Sequence, residues 1–131
     1  MKTYNLFISH SWTYSDKYKG LIELLDKKPY FEYKNYSVPK DDPIHHANNA
    51  SQLKNAIENQ MRPASCVLIL AGVYVAYSKW INIEIDLAKQ LNKKIIAIEY
   101  RGSEKTSQIV KDAADCVVKW NTDSIVDAIR N

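Results

Sequence analysis

The feature that most constrains the fold is a regular alternation of short apolar runs with segments of helical periodicity. Short apolar runs are typical of buried strands, whereas apolar residues three or four positions apart are typical of amphipathic helices. The predicted strands are Tyr4–Ser9, Phe31–Val38, Cys66–Ala71, Lys94–Tyr100 and Cys116–Trp120. Because a helical segment separates each strand from the next, we predict an α/β domain with parallel strands and right-handed crossovers.

A helix is predicted after every strand. The first helix is marked by Tyr14, Tyr18, Leu21, Ile22 and Leu25 and ends before Pro29. The second is marked by Leu53, Ile57 and Met61, with Asn or Ser as its cap. The third runs from Ser78, its N-cap, to about Leu91, and the last two are Gln108–Ala114 and Thr122–Arg130. Pro39–Asn49 is predicted to be a polar loop.

Five such units suit a flavodoxin-like three-layer sandwich with the strand order 2-1-3-4-5. The continuous run Cys66–Ala71 fits the central strand, and the alternating run Phe31–Val38 fits a strand nearer the edge. In this order a ligand crevice is expected at the carboxyl ends of strands 1 and 3. The residues at that place are 9–12 and 72–78.

The bulk properties of the chain limit the alternatives. Its 131 residues fit a single domain over 1–131. Cys66 and Cys116 lie within apolar runs, which predicts small buried side chains and no disulfide. The net charge of +3 is too small to indicate nucleic-acid binding. No membrane span or signal peptide is predicted, so we expect a soluble, cytoplasmic protein.

The sequence does not support several functions that are common in this fold, and it does not support a metal site. Dinucleotide and P-loop sites need clustered glycines, and the three glycines here are far apart. Acidic residues of a receiver domain are absent after strands 1 and 3, and HSWTYSD does not match a flavodoxin phosphate loop. His45 and His46 are adjacent and His10 stands alone, so no metal ligand set is predicted. Adjacent His10 and Ser11 also make a poor nucleophile and base.

One residue of the third helix breaks the amphipathic pattern. At ~100° per residue, Glu84 falls near the middle of the arc that contains Trp80, Ile81 and Ala88. A carboxylate directed at a core costs free energy unless it is paired or protonated. Such violations cluster at functional sites. A structural carboxylate that is satisfied by a backbone amide, a tyrosine hydroxyl or a lysine explains the pattern equally well.

The same residues resemble a known family. YNLFISHSW resembles the first conserved box of TIR domains, and Ser78, Trp80 and Glu84 resemble the serine, tryptophan and glutamate signature on the helix after strand 3. With NYSVPKDDP, CVLILAGVY and KKIIAIEYRG, the chain from about Tyr4 to Ile129 is similar to the compact TIR-like family that includes the TIR protein of Thoeris antiphage systems.

This resemblance implies one of two behaviours. Enzymatic TIR domains cleave the nicotinamide–ribose bond of NAD, which is a substrate and not a bound cofactor, and then hydrolyse or cyclise ADP-ribose. Their catalytic glutamate corresponds to Glu84. Scaffold TIR domains bind one another or receptors and usually lack that glutamate, so Glu84 favours the enzyme. The alternative is a non-catalytic module that binds a nucleotide or a protein.

The resemblance also suggests which residues surround the substrate. The candidate substrate-binding residues are Ser9, His10, Ser11, Trp12, Tyr74, Ser78 and Trp80. Trp12 or Tyr74 would stack on a base, and Ser9 and Ser11 would donate to ribose or phosphate unless they cap turns. Trp80 fits a core anchor better, and Lys40 fits a solvated lysine better than a diphosphate ligand. Self-association on activation, a phage trigger and a downstream effector are the expected partners.

Overall fold

The computed structural model describes residues 2–9, 17–36, 50–70, 74–99 and 108–131. Strands and helices alternate through them without exception. They are β1 (Thr3–Ile8), α1 (Lys17–Asp26), β2 (Glu32–Asn35), α2 (Ala50–Met61), β3 (Cys66–Leu70), α3 (Tyr74–Gln90), β4 (Lys94–Glu99), α4 (Gln108–Ala113), β5 (Cys116–Lys119) and α5 (Thr122–Arg130).

The strands form a parallel sheet that confirms the predicted topology. Within the described ranges the sheet has five strands in the order β2-β1-β3-β4-β5. All five residues of β3 are buried, as expected of a central strand with helices on both faces. β2 lies at one edge, and only one of its four residues is even half-buried. The assignments of the central and the edge strand are therefore both confirmed.

Two apolar clusters, one on each face of the sheet, form where the strands pack against the helices. On one face, Phe7, Val67, Ile69, Ile95 and Ala97 pack with buried residues of α2, α3 and α4. On the other face, Leu6, Ile8, Leu68, Ile96 and Ile98 pack with α1 and α5. Adjacent residues of β1, β3 and β4 contribute to opposite clusters because strand side chains alternate between the two faces. The result is a three-layer sandwich with two cores.

The third helix begins earlier than the sequence indicated. α3 starts at Tyr74, so Ser78 lies inside the helix and is not its N-cap. The prediction was wrong because it relied on the preference of serine for caps. Residues 74–77, YVAY, contain no proline or glycine that would stop a helix, and serine is tolerated within one.

The two cysteines differ in burial. Cys66 on β3 is 3% exposed, as predicted, but Cys116 on β5 is only half-buried. The prediction of a buried Cys116 was wrong because β5 is an edge strand, and an edge strand is covered less completely than a central one. Neither cysteine forms a disulfide, and β4 separates their strands.

We predict that the two thiols react at different rates in the native protein. Burial raises the pKa of the Cys66 thiol, so at pH 8 it remains mostly protonated, and the thiolate is the form that reacts with iodoacetamide. Mass spectrometry should show Cys66 alkylated at least ~10-fold more slowly in native protein than in urea. Cys116 should be the first site modified. Equal rates for Cys66 in native and unfolded protein would contradict this account.

Candidate functional site

The site begins at the carboxyl end of β1, where the strand periodicity determines the direction of Ser9. Phe7 packs on the α3 side of the sheet and Ile8 on the opposite side, so the next alternation returns Ser9 to the α3 side. The Ser9 N–H donates a hydrogen bond to the Leu68 carbonyl at 2.8 Å. This bond ties Ser9 to the central strand, and its side chain is fully buried.

Helix α3 supplies the second component, Glu84. Its neighbours on the helix, Ile81, Ile85 and Ala88, belong to the core cluster on that face of the sheet. Glu84 is itself 0% exposed. The helical-wheel prediction of an inward-facing carboxylate is therefore confirmed. Among the residues whose burial is described, Glu84 and Ser9 are the two buried residues with polar or charged side chains.

These two side chains are joined directly. The Ser9 hydroxyl donates a hydrogen bond to Glu84 Oε1 across 2.6 Å, between residues 75 positions apart in the sequence. This distance falls in the range of hydrogen bonds from a hydroxyl to a carboxylate, which are stronger than those between neutral groups. The bond therefore offsets part of the cost of burying Glu84.

The pair lies at the topological switch point of the sheet. β1 and β3 are neighbours, but β2 lies on one side of them and β4 and β5 on the other. The connections that leave the carboxyl ends of β1 and β3 consequently diverge, which creates the crevice where ligands bind in this class of fold. Ser9 follows β1, and α3 follows β3. The chain thus places a paired carboxylate beside its expected ligand crevice.

The geometry limits what the pair can do. A carboxylate in a water-poor setting attracts a nearby positive charge more strongly than one in water. A carboxylate can also accept hydrogen bonds from a substrate, but only if the substrate lies within reach of its oxygens. Because Glu84 is fully buried, a substrate contacts it only after the side chains that cover it have moved.

The remaining predicted site residues have no described side-chain environment. His10, Ser11, Trp12, Lys40 and the loop over residues 38–49 lie outside the described residues. Tyr74, Ser78 and Trp80 are in α3, the helix that carries Glu84, but their side chains lie outside the described part of the structure. Their roles, and a substrate-binding role for Ser9, stay predictions.

The contact between Ser9 and Glu84 was not predicted from the sequence. Ser9 was expected to donate to a substrate or to cap a turn, and the partners considered for a structural Glu84 were a backbone amide, a tyrosine hydroxyl or a lysine. The observed donor is instead the Ser9 hydroxyl. The strand alternation of Phe7, Ile8 and Ser9 was the available signal, because it places Ser9 on the same face as Phe7. That signal identifies the face but not the residue opposite.

Other features of the described residues lie away from this pair. No group of three or more potential metal ligands occurs among them. None of the helices in the described ranges has both the length and the apolar character needed to cross a membrane. A groove lined by Lys89, Lys93, Lys94 and Asp115 lies at the amino end of β4, and neither Ser9 nor Glu84 lines it.

Comparisons with known proteins agree with the fold. The family model described as Thoeris protein ThsB, TIR-like domain, matches residues 7–105. No curated protein matches the sequence. The S. aureus MnaA-UDP co-structure is similar with a TM-score of 0.54 at 13% identity, which shows a shared fold alone. The alignment covers 99% of this chain and 40% of the MnaA chain, so this chain spans less than half of that protein.

We predict that the hydrogen bond between the Ser9 hydroxyl and Glu84 Oε1 stabilises the fold. Glu84→Ala removes the acceptor for Ser9 and opens a cavity, so it should lower the free energy of unfolding by about 2–4 kcal/mol. Glu84→Gln keeps an acceptor oxygen and removes the buried charge, so its stability should match or exceed that of the wild type. The control is Asp86→Ala on the exposed face of α3, with a change within about 0.5 kcal/mol.

Urea unfolding of the three variants provides the measurement. The account is contradicted if Glu84→Ala is as stable as Asp86→Ala, because the buried contact would then contribute nothing to the fold.

Proposed function

The chain belongs to the TIR-like domain family of the Thoeris protein ThsB, and we propose that it is an enzyme that cleaves NAD. The products would be nicotinamide and an ADP-ribose derivative, linear or cyclic, that acts as a signal in prokaryotic antiviral defence. The observation that carries this proposal is a buried glutamate at the switch point of the sheet, oriented by a direct hydrogen bond from Ser9.

The chemistry requires little from the protein beyond one oriented negative charge. The bond between the ribose C1′ and the pyridinium nitrogen breaks, and its electron pair leaves with neutral nicotinamide, so no general acid is needed. The ribose acquires oxocarbenium character, which a carboxylate stabilises electrostatically. Attack by water, with loss of a proton, gives ADP-ribose, whereas attack by a nucleophile within ADP-ribose itself gives a cyclic product.

The described residues supply the electrostatic part of this reaction. Burial keeps water from screening a charge on Glu84, and the hydrogen bond from Ser9 holds the carboxylate in one orientation. In this proposal, the side chains that cover Glu84 first move aside, and the site then closes around NAD with the ribose against Glu84. Stacking by Trp12 or Tyr74 and hydrogen bonds from His10 or Ser11 would complete the binding of NAD, with Ser78 and Trp80 on the same helix.

A second candidate function rests on the complete burial of Glu84. A carboxylate that is 0% exposed and held by a buried hydroxyl also fits a purely structural role. The chain would then be a non-catalytic module that binds a nucleotide or a protein partner. The two candidates differ in whether Glu84 contributes to turnover or only to folding.

We predict that Glu84→Gln lowers NAD consumption per folded molecule by at least ~10²-fold, the scale of losing one electrostatic contact to a transition state. The side chain keeps its size but loses the charge. Asp86→Asn is the matched control, because it removes a carboxylate from the exposed face of the same helix. It should leave turnover within about twofold of the wild type.

Nicotinamide release and the melting temperature should be measured on the same samples. Equal turnover per folded molecule in Glu84→Gln and wild type would overturn the enzymatic proposal and leave the binding module.

The proposal includes self-association on activation, with a phage component as trigger and a separate effector as the recipient of the signal. The motivation is the long, polar, proline-containing segment over residues 38–49, which suits a lid or a contact with a second copy. Turnover per molecule should therefore rise with protein concentration. A protein that stays monomeric by light scattering while turning over NAD at its full rate would contradict this.

A further inference from the structure

We propose that Ser9 is a positioning residue, which holds the Glu84 carboxylate in the orientation that the reaction uses. This inference rests on the proposed function and deepens it. It also assigns Ser9 a different role from the one suggested by its sequence, in which the hydroxyl would bind the substrate itself.

The Ser9 hydroxyl uses its single hydrogen in the bond to Glu84. A serine hydroxyl carries one hydrogen, so it donates one hydrogen bond at a time. Here it donates to Glu84 Oε1 at 2.6 Å. Ser9 is also 0% exposed. A hydroxyl in this situation acts on the carboxylate and has no second proton to donate to a ribose or a phosphate.

Ser9 is anchored to the packed sheet through its backbone. Its backbone N–H donates to the Leu68 carbonyl of β3 at 2.8 Å, and Phe7 and Ile8 before it are fully buried in the two cores. Groups on packed strands are held more accurately than groups on loops. The position of the hydroxyl is thus fixed by the sheet.

A glutamate side chain needs a restraint at its end to hold one orientation. A glutamate side chain has three rotatable bonds, and its terminal torsion is broad. Core packing around α3 restrains the stem, since Ile81 and Ile85 lie beside Glu84 in the apolar cluster. A hydrogen bond on Oε1 fixes the plane of the carboxylate and therefore the direction of Oε2 as well. The Ser9 contact provides that restraint.

The test compares Ser9→Ala with Ser9→Thr in the full chain. Ser9→Ala removes the donor with little change in volume, and kcat for NAD should fall roughly tenfold, as expected for a hydrogen bond to a charged group. KM should stay within about twofold, because Ser9 does not contact NAD. Ser9→Thr keeps the hydroxyl and should restore most of kcat.

The pH profile provides a readout that a merely structural role would not move. The donor favours the ionised carboxylate, so its removal makes protonation easier. The acid limb of kcat for Ser9→Ala should therefore lie at higher pH than that of the wild type. The pH profiles of Ser9→Ala and the wild type test the positioning role of Ser9 even if the extra methyl group of Ser9→Thr disturbs the core.

Ser65→Ala serves as the matched control. Ser65 also makes a hydrogen bond through its hydroxyl, to the Asn5 carbonyl at 3.1 Å, but at the amino end of β3. It should change neither kcat nor the pH profile. Unchanged or increased kcat in Ser9→Ala, or a rise in KM without a fall in kcat, would overturn the role of Ser9. Absence of NAD turnover in the wild type would instead contradict the proposed function.

Discussion

The pairing of β1 with β3 is the constraint on which the rest of the structure depends. It joins segments about sixty residues apart through the partners Leu6–Cys66, Phe7–Val67 and Ile8–Leu68, and Ser9 extends it with its bond to Leu68. This pairing brings the first strand beside the central strand, makes the chain connections diverge, and so determines where the crevice lies. It also brings the end of β1 within reach of α3, which is what allows Ser9 to contact Glu84.

Among the residues whose burial is described, the Glu84 carboxylate and the Ser9 hydroxyl are the polar exceptions in an apolar core. Burying a carboxylate is costly even when it is paired, and an apolar residue of similar size would often be as stable or more stable. Stability alone therefore gives no strong reason for Glu84 to be a glutamate. The proposed cleavage of NAD would give one, because a desolvated and oriented carboxylate stabilises the positive charge that develops on the ribose. The Ser9 bond reduces the folding cost and orients the group at the same time.

Much of the fold could be predicted because the local periodicity of apolar residues indicates each strand and helix. The alternation of apolar runs and helical segments predicted the parallel sheet and its order, and the helical wheel predicted that Glu84 is buried. Features that depend on tertiary packing could not be predicted in this way. Cys116 lies in an apolar run but is half-buried on an edge strand, and Ser78 lies inside a helix although serine favours caps. The partner of Glu84 is 75 positions away, and no local pattern specifies it.

The most direct measurement of the central claim is a double-mutant cycle on NAD turnover per folded molecule, with Ser9→Ala, Glu84→Gln and the combined variant. If Ser9 acts by orienting the charge of Glu84, its hydrogen bond to the neutral amide of Glu84→Gln no longer contributes to turnover. The account predicts that adding Ser9→Ala to Glu84→Gln lowers turnover by less than about twofold. A further loss in the combined variant as large as the loss caused by Ser9→Ala alone would contradict it.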